Sequence, residues 1–300
     1  MNTTTVSKRV LIIMAWVAML VVSDLPDIII TWMGSSIPEW MFWAKAGFMA
    51  LFLGLTFLWR SIRSLWQYAL VLLVLFLMLG LNSQVRSTAL FNENFNYPGV
   101  SYFTGYAAIM TLDILVALAV IAVLWLMKRD RKAFFLVRGQ MDAPIEPVRW
   151  LGIKPGESWK VFGWIFTGVA GIAVLIPTML GISPTWNTIL RALPLMPAAV
   201  LFAAVNAFTE EVYFRASLLS TLHDVVGKTH TLLITLVFFG LAHWLYGSPP
   251  GIIGFLMTGF LAWLLGKSML ETKGFLWPWI IHFVPDVVIF ISYALLFVQT

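Results

Sequence analysis

Across 300 residues the chain is 60% hydrophobic and 11% charged, with 15 Trp, no Cys and a formal net charge of +5. Its mean hydropathy of +0.90 excludes an ordinary soluble domain, and the lack of Cys excludes disulfides and thiolate chemistry. The basic excess reads as a membrane-topology signal and gives no ground for a nucleic-acid partner.

In lipid, every backbone polar group needs an internal partner, and no strand-type alternation between turns is visible. The expected fold is therefore all-α, a polytopic integral membrane protein with about eight to nine transmembrane helices. Candidate spans are 10–32, 40–59, 65–82, 104–127, 161–180, 196–221, 230–247, 251–269 and 277–298.

The leading MNTTTVSKRV runs into apolar sequence without a small-residue cleavage site, as expected of a membrane anchor that is not removed. SDLPD at 23–27 interrupts the first span. Residues 10–22 alone reach only about 20 Å at about 1.5 Å per residue, too short to cross, so Asp24 is expected toward the far interface with a kink at Pro26. Two isolated charges in the first half, Lys45 and Asp113, are expected to pair with each other or to face water.

The polar segment 128–160 carries Lys128, Arg129, Arg131, Lys132, Arg138, Arg149, Lys154 and Lys160, together with Pro144, Pro147 and Pro155. It divides the chain into an N-terminal four-helix region (1–127), a basic loop (128–160) and a C-terminal core (161–300). Lys8, Arg9, Arg60, Arg63, Lys228, Lys267 and Lys273 fall on the same side as this loop, whereas the other side holds little beyond Arg86 and Arg191. That asymmetry places the N-terminus and the loop in the cytoplasm.

All the chemically suggestive clusters lie in the second half. NAFTEEVYFRAS (206–217) puts Glu210, Glu211 and Arg215 inside an apolar helix. Glu211 and Arg215 are i,i+4 neighbours that can pair, whereas Glu210 points about 100° away from Glu211. A structural role accounts for Glu211 and Arg215. Glu210 is left to face another helix, a watery cavity or a metal. Two later helices offer partners: Phe239 and His243 share one face in FFGLAHWLYG, and His282 and Asp286 share another in WPWIIHFVPDVV. A carboxylate one turn from an imidazole can fix its tautomer. Either histidine alone reads as a core residue; with the glutamates, they point to a polar site between helices.

Counted from helix ends, Glu210 lies about 17 Å and His243 about 20 Å from the cytoplasmic side, but His282 only about 10 Å. The stagger suggests a cavity open toward the cytoplasm, with Pro278 and Pro285 letting the last helix unwind or enter deeper.

Peptide hydrolysis needs an activated water, a stabilised oxyanion and a proton for the leaving amine. Glu210, poorly solvated and without a neighbouring cation, suits a general base. His243 can help hold the water and His282 can polarise the carbonyl. His243 and His282 with a carboxylate would also suit a catalytic zinc, although the compact HExxH spacing is absent. No GxSxG is present.

EExxxR at Glu210–Arg215, FxxxH at Phe239–His243 and an HxxxN-type motif at His282–Asp286 together resemble, in order, the signature of the CAAX-protease and bacteriocin-processing family (CPBP, or Abi), over roughly residues 150–300. The resemblance implies a multispanning intramembrane endopeptidase of a prokaryotic cell membrane, with a lipidated or membrane-associated peptide as substrate. The implied catalytic residues are Glu210, Glu211, His243 and His282, with Arg215, Phe239 and Asp286 in orienting roles. The family is described both as glutamate-dependent and as metal-dependent, so a divalent metal such as zinc stays open. Asp286 departs from the commoner asparagine of the third motif; an ionised Asp cannot donate to an oxyanion. Two other classes fit less completely: a catalytically silent immunity or scaffolding protein, and a proton-coupled transporter.

Overall fold

The computed structural model describes residues 3–96, 99–246 and 249–299, and no β-strand occurs among them. Helix α1 (Thr3–Val22) is followed by the short α2 (Leu25–Trp32), α3 (Met41–Leu58), α4 (Trp66–Ser87), the short α5 (Ala89–Phe95) and α6 (Tyr102–Leu126). The second half runs α7 (Trp159–Ile182), the short α8 (Trp186–Ala192), α9 (Met196–Glu211), α10 (Ser217–Val226), α11 (Lys228–Tyr246), α12 (Ile252–Thr272) and α13 (Leu276–Gln299). Among the described residues, seven helical stretches are long and apolar enough to cross a membrane, and the bent α1–α2 pair makes an eighth. The protein is an all-α polytopic membrane protein.

The first span breaks where the sequence interrupts it. Residues 8–22 and 25–32 meet at 55°, with Pro26 in the first turn of α2, where a missing N–H costs nothing. The bend brings α2 to the buried Lys45 of α3, whose Nζ donates to Asp27 Oδ2 at 2.7 Å and to the Ser23 carbonyl at 2.8 Å. Of the two expectations for these charges, pairing with each other is not met: Lys45 pairs with Asp27. Asp113 Oδ1 instead accepts from Asn82 Nδ2 of α4 at 2.7 Å. Each charge found a nearer partner that hydropathy alone could not rank.

The segment between α6 and α7 is a docked strap rather than a linker. Phe275 N donates to the Val137 carbonyl and Gln140 N to the Thr272 carbonyl, both at 2.8 Å, and Trp277 Nε1 donates to the Met141 carbonyl at 2.8 Å. Gly139, at φ +77°, lies so close to Gly274 that a Cβ on either would collide with the other's backbone. Ile145, Val148, Ile153 and Trp159 are buried against Leu264, Leu265, Trp277 and Ile281. A charge network locks the edge: Lys228 Nζ reaches Glu146 at 2.6 Å and Glu271 at 2.9 Å, and Lys267 also pairs with Glu271. The hydrogen bond from Lys228 holds the Glu146 carboxyl below the usual carboxylate range.

Helix α13 is the centre of the second half, with α7 and α9 against it and α11 against α12. Gly163 and Gly171 of α7 face the Trp277 ring and Val284, where a Cβ would collide; small residues let membrane helices approach closely. Outward, α7 shows Trp164, Ile165, Ile172 and Ile176, the apolar face lipid requires. Helix α6 packs against both α4 and α9, and Tyr102 Oη donates to the Phe290 carbonyl of α13 at 2.8 Å. The first half thus forms one wall of the region in which the acidic helix sits.

Candidate active site

The acidic helix is not uniform. After Glu211, α9 opens into one π-helical turn, Val212–Ala216, before α10 resumes. Such single wide turns are rare and are concentrated at functional sites. This one lies inside the EExxxR motif and tilts Tyr213 toward α6, where its hydroxyl donates to the Asp113 carbonyl.

The expected Glu211–Arg215 pair forms, at 3.3 Å between Oε1 and Nη1, with both side chains fully buried. Arg215 is otherwise held by an aromatic face: its guanidinium carbon lies 3.9 Å from the centre of the Phe239 ring, a cation–π contact strengthened by the absence of water. Among the described residues, no guanidinium nitrogen of Arg215 has a hydrogen-bond partner. Arg215 depends on Glu211 and Phe239 for almost all of its compensation.

Glu211 does more than pair with arginine. Its Oε1 also accepts from His282 Nδ1 at 2.8 Å, while Oε2 is buried without a protein partner. The principal orienting partner of His282 is therefore Glu211, from another helix, and not Asp286 one turn along its own. Asp286 Oδ1 stands 3.7 Å from His282 Nε2. Glu210 has the partner its position demanded: its Oε2 is 3.4 Å from that same Nε2. One imidazole thus has a carboxylate on Nδ1 and two around Nε2. A carboxylate can only accept, so the Nδ1–H donates to Glu211 and Nε2 faces Glu210 and Asp286.

Sequence reasoning missed Asn206. Its Nδ2 donates to Glu210 Oε1 at 3.2 Å and to Asp286 Oδ2 at 3.0 Å, holding two like charges apart in fixed geometry. A signal existed: an Asn four residues before Glu210 in an otherwise apolar helix shares its face.

The depth argument also needs correction. Helix α10 runs to Val226, well past 221, and α13 starts at Leu276 and stays helical through Pro285. The helix ends are staggered, so His282 meets Glu210 without the last helix unwinding.

His243 is held within its own helix. Its Nδ1 donates to the Phe239 carbonyl at 2.9 Å, which leaves the Nε2 lone pair free to accept. The Phe239 ring lies beside both imidazoles, with centroids 4.4 Å from His243 and 6.0 Å from His282. Among the described residues, no three His, Asp or Glu side chains are placed together to hold an ion.

Residues 192–288, which include every member of this cluster, match a family model described as "Type II CAAX prenyl endopeptidase Rce1-like". The match spans 97 of the 300 residues (192 through 288) and leaves helices α1 to α7 outside it. No curated protein and no solved structure matches the chain.

Proposed function

We propose that this protein is an intramembrane endopeptidase that hydrolyses membrane-associated or lipidated peptides with a water activated by Glu210. The observation that carries the reading is the convergence of Glu210, Glu211 and Asp286 on His282 in the bilayer-spanning interior, within the stretch that matches an endopeptidase family.

Glu210 Oε2 takes a proton from water, whose oxygen adds to the scissile carbonyl. His282, with carboxylates at both nitrogens, acts as the imidazolium: its Nε2–H stabilises the oxygen that becomes negative and passes its proton to the leaving nitrogen, and the proton that Glu210 took from water returns to Nε2. Glu211, accepting from Nδ1–H, keeps the His282 ring in one orientation with Nε2 toward Glu210. Asn206 and Asp286 fix the direction of Glu210. His243, with its free Nε2, accepts a hydrogen bond from the attacking water. The reading is tested with purified protein on a panel of fluorogenic peptides, with and without chelator. Cleavage unchanged by chelator supports water activation by Glu210 alone; loss that zinc restores replaces it with a metal-dependent route.

Asp286 gives a sharper check. If its carboxylate only accepts from Asn206 and faces His282, Asp286→Asn should lower activity roughly 10–100-fold, the usual cost of losing a supporting partner. If Asp286 instead donated to the oxyanion, Asn would replace it well and would extend activity to alkaline pH. The pH–rate profiles of both forms on one peptide decide the matter, and an Asn variant as active as wild type at neutral pH removes the supporting role.

For orientation, the proposal puts the N-terminus and the 128–160 strap in the cytoplasm. Cysteines introduced at Arg138 or Lys154 are expected to resist impermeant thiol reagents in intact cells and to label after permeabilisation. Ready labelling in intact cells would invert the topology.

A further inference from the structure

Outside the stretch matched by the family model, a polar cavity of about 420 Å³ lies between α4 and α6, lined by Leu79, Asn82, Ser83, Arg86, Ser87 and Asp113. Its volume is in the range of small-ligand sites, roughly 300–1,000 Å³. Arg86 and the two serines are exposed at the rim, whereas Asn82 is 7% exposed and Asp113 is half-buried. Asn82 Nδ2 is used on Asp113, but its Oδ1 is buried with no partner. An orphaned buried acceptor is costly and calls for a donor. The lining therefore offers a cation at the mouth and two acceptors, one of them anionic, at the floor. That is the complement of a zwitterion.

The cavity's Asp113 is tied to the π-helical turn that follows Glu211, through its backbone carbonyl. Asn82 is five residues from the end of α4, about 8 Å, and Asp113 is eleven residues into α6, about 17 Å. The floor is therefore near mid-membrane and the mouth lies on the face away from the strap, since α6 runs from that face toward the strap. Tyr213, three residues after Glu210, donates to the Asp113 carbonyl, and Glu210 lies within electrostatic reach of Asp113. The cavity opens on the face opposite the one that helix-end counting indicated for the site.

We propose that the cavity is the subsite for the C-terminal side of the cleaved peptide, with Arg86 taking the terminal carboxylate and Asp113 and Asn82 Oδ1 receiving the new ammonium. The inference rests on the endopeptidase reading. Hydrolysis breaks the C–N bond, places the water's hydroxyl on the acyl carbon and one proton on nitrogen. The nitrogen then takes the proton of the new carboxylic acid, so the released fragment is a zwitterion and no other reactant is consumed. Asp113 is the acid of this cavity whose backbone is bonded to the π-helical turn beside Glu210, and Arg86 lines the same cavity.

The test separates binding from cleavage by using the full-length Glu210→Gln protein in detergent, titrated calorimetrically with tetra-alanine, its C-terminal amide and its N-acetyl form. The free peptide is expected to bind at least about tenfold tighter than either capped form, the scale of a hydrogen bond to a charged group. Arg86→Gln should erase the preference for a free carboxylate while keeping that for a free amine, and Asp113→Asn should do the reverse. Arg86 is exposed, so its variant reads the carboxylate arm even where Asp113→Asn fails to fold. Equal binding of the three peptides overturns the subsite, as does a carboxylate preference that survives Arg86→Gln. Displacement of tetra-alanine by dihexanoylphosphatidylethanolamine at lower concentration would assign the cavity to a lipid headgroup and also overturn it. Should wild type cleave no peptide, the endopeptidase reading falls, while this titration still reports on the cavity.

Discussion

Glu210→Gln is expected to lower kcat/KM by about 10²–10⁴-fold, the contribution of a positioned general base, while folded yield and thermal stability stay close to wild type. The reason lies in what Gln retains. Its carbonyl oxygen can still accept from Asn206, which donates to Glu210 Oε1 at 3.2 Å, and its volume is nearly that of Glu. What it loses is a group able to take a proton from water beside His282 Nε2, 3.4 Å away. Parallel measurement of kcat/KM and of melting in detergent checks both halves. A variant that melts far below wild type would mean that Glu210 is a structural residue; a variant that cleaves normally would remove it as the base.

Arg215→Ala should behave in the opposite way. It strands Glu211, fully buried with its Oε2 already unpartnered, and takes away the cation packed on Phe239 at 3.9 Å. Removing one member of a buried ion pair costs about 3–5 kcal/mol. His282 remains on Glu211 Oε1 at 2.8 Å and offsets part of the loss, so the lower end of that range is expected. Activity should fall together with stability, because a shifted Glu211 no longer orients His282. Arg215→Lys keeps the charge but not the flat group that stacks on the ring, and should fall between wild type and Ala. Thermal unfolding in detergent measures the order, and an Arg215→Ala protein as stable as wild type would show that the pair contributes nothing to the fold.

The polar core was partly legible because its members obey helical spacing. Glu211 and Arg215 at i,i+4 pair as the spacing requires, and the lack of a same-helix cation for Glu210 pointed to a partner on another helix, where His282 stands. Spacing within one helix says nothing about contacts between helices. For that reason Glu211 as the main partner of His282 and Asn206 as the bridge to Asp286 were hidden. The π-helical turn was hidden too, since no residue type in VYFRA demands it.

The first half shows the same limit. SDLPD signalled a break, and a break is present, but only the fold brings Asp27 to Lys45 and leaves Asp113 to Asn82. In the 128–160 segment, proline and charge read as a polar boundary. Its apolar residues Ile145, Val148 and Ile153 are too sparse to give a helical or strand period, so its docking beneath α12 and α13 could not be foreseen.

The most direct test of the central claim is cleavage of a membrane-reconstituted peptide by purified protein in ¹⁸O-labelled water, followed by mass spectrometry. The account predicts two fragments from wild type, with one ¹⁸O in the new carboxylate, and a loss of both with Glu210→Gln at unchanged folded yield. Absence of fragments from wild type across the peptide panel, or fragments from folded Glu210→Gln at the wild-type rate, would contradict it.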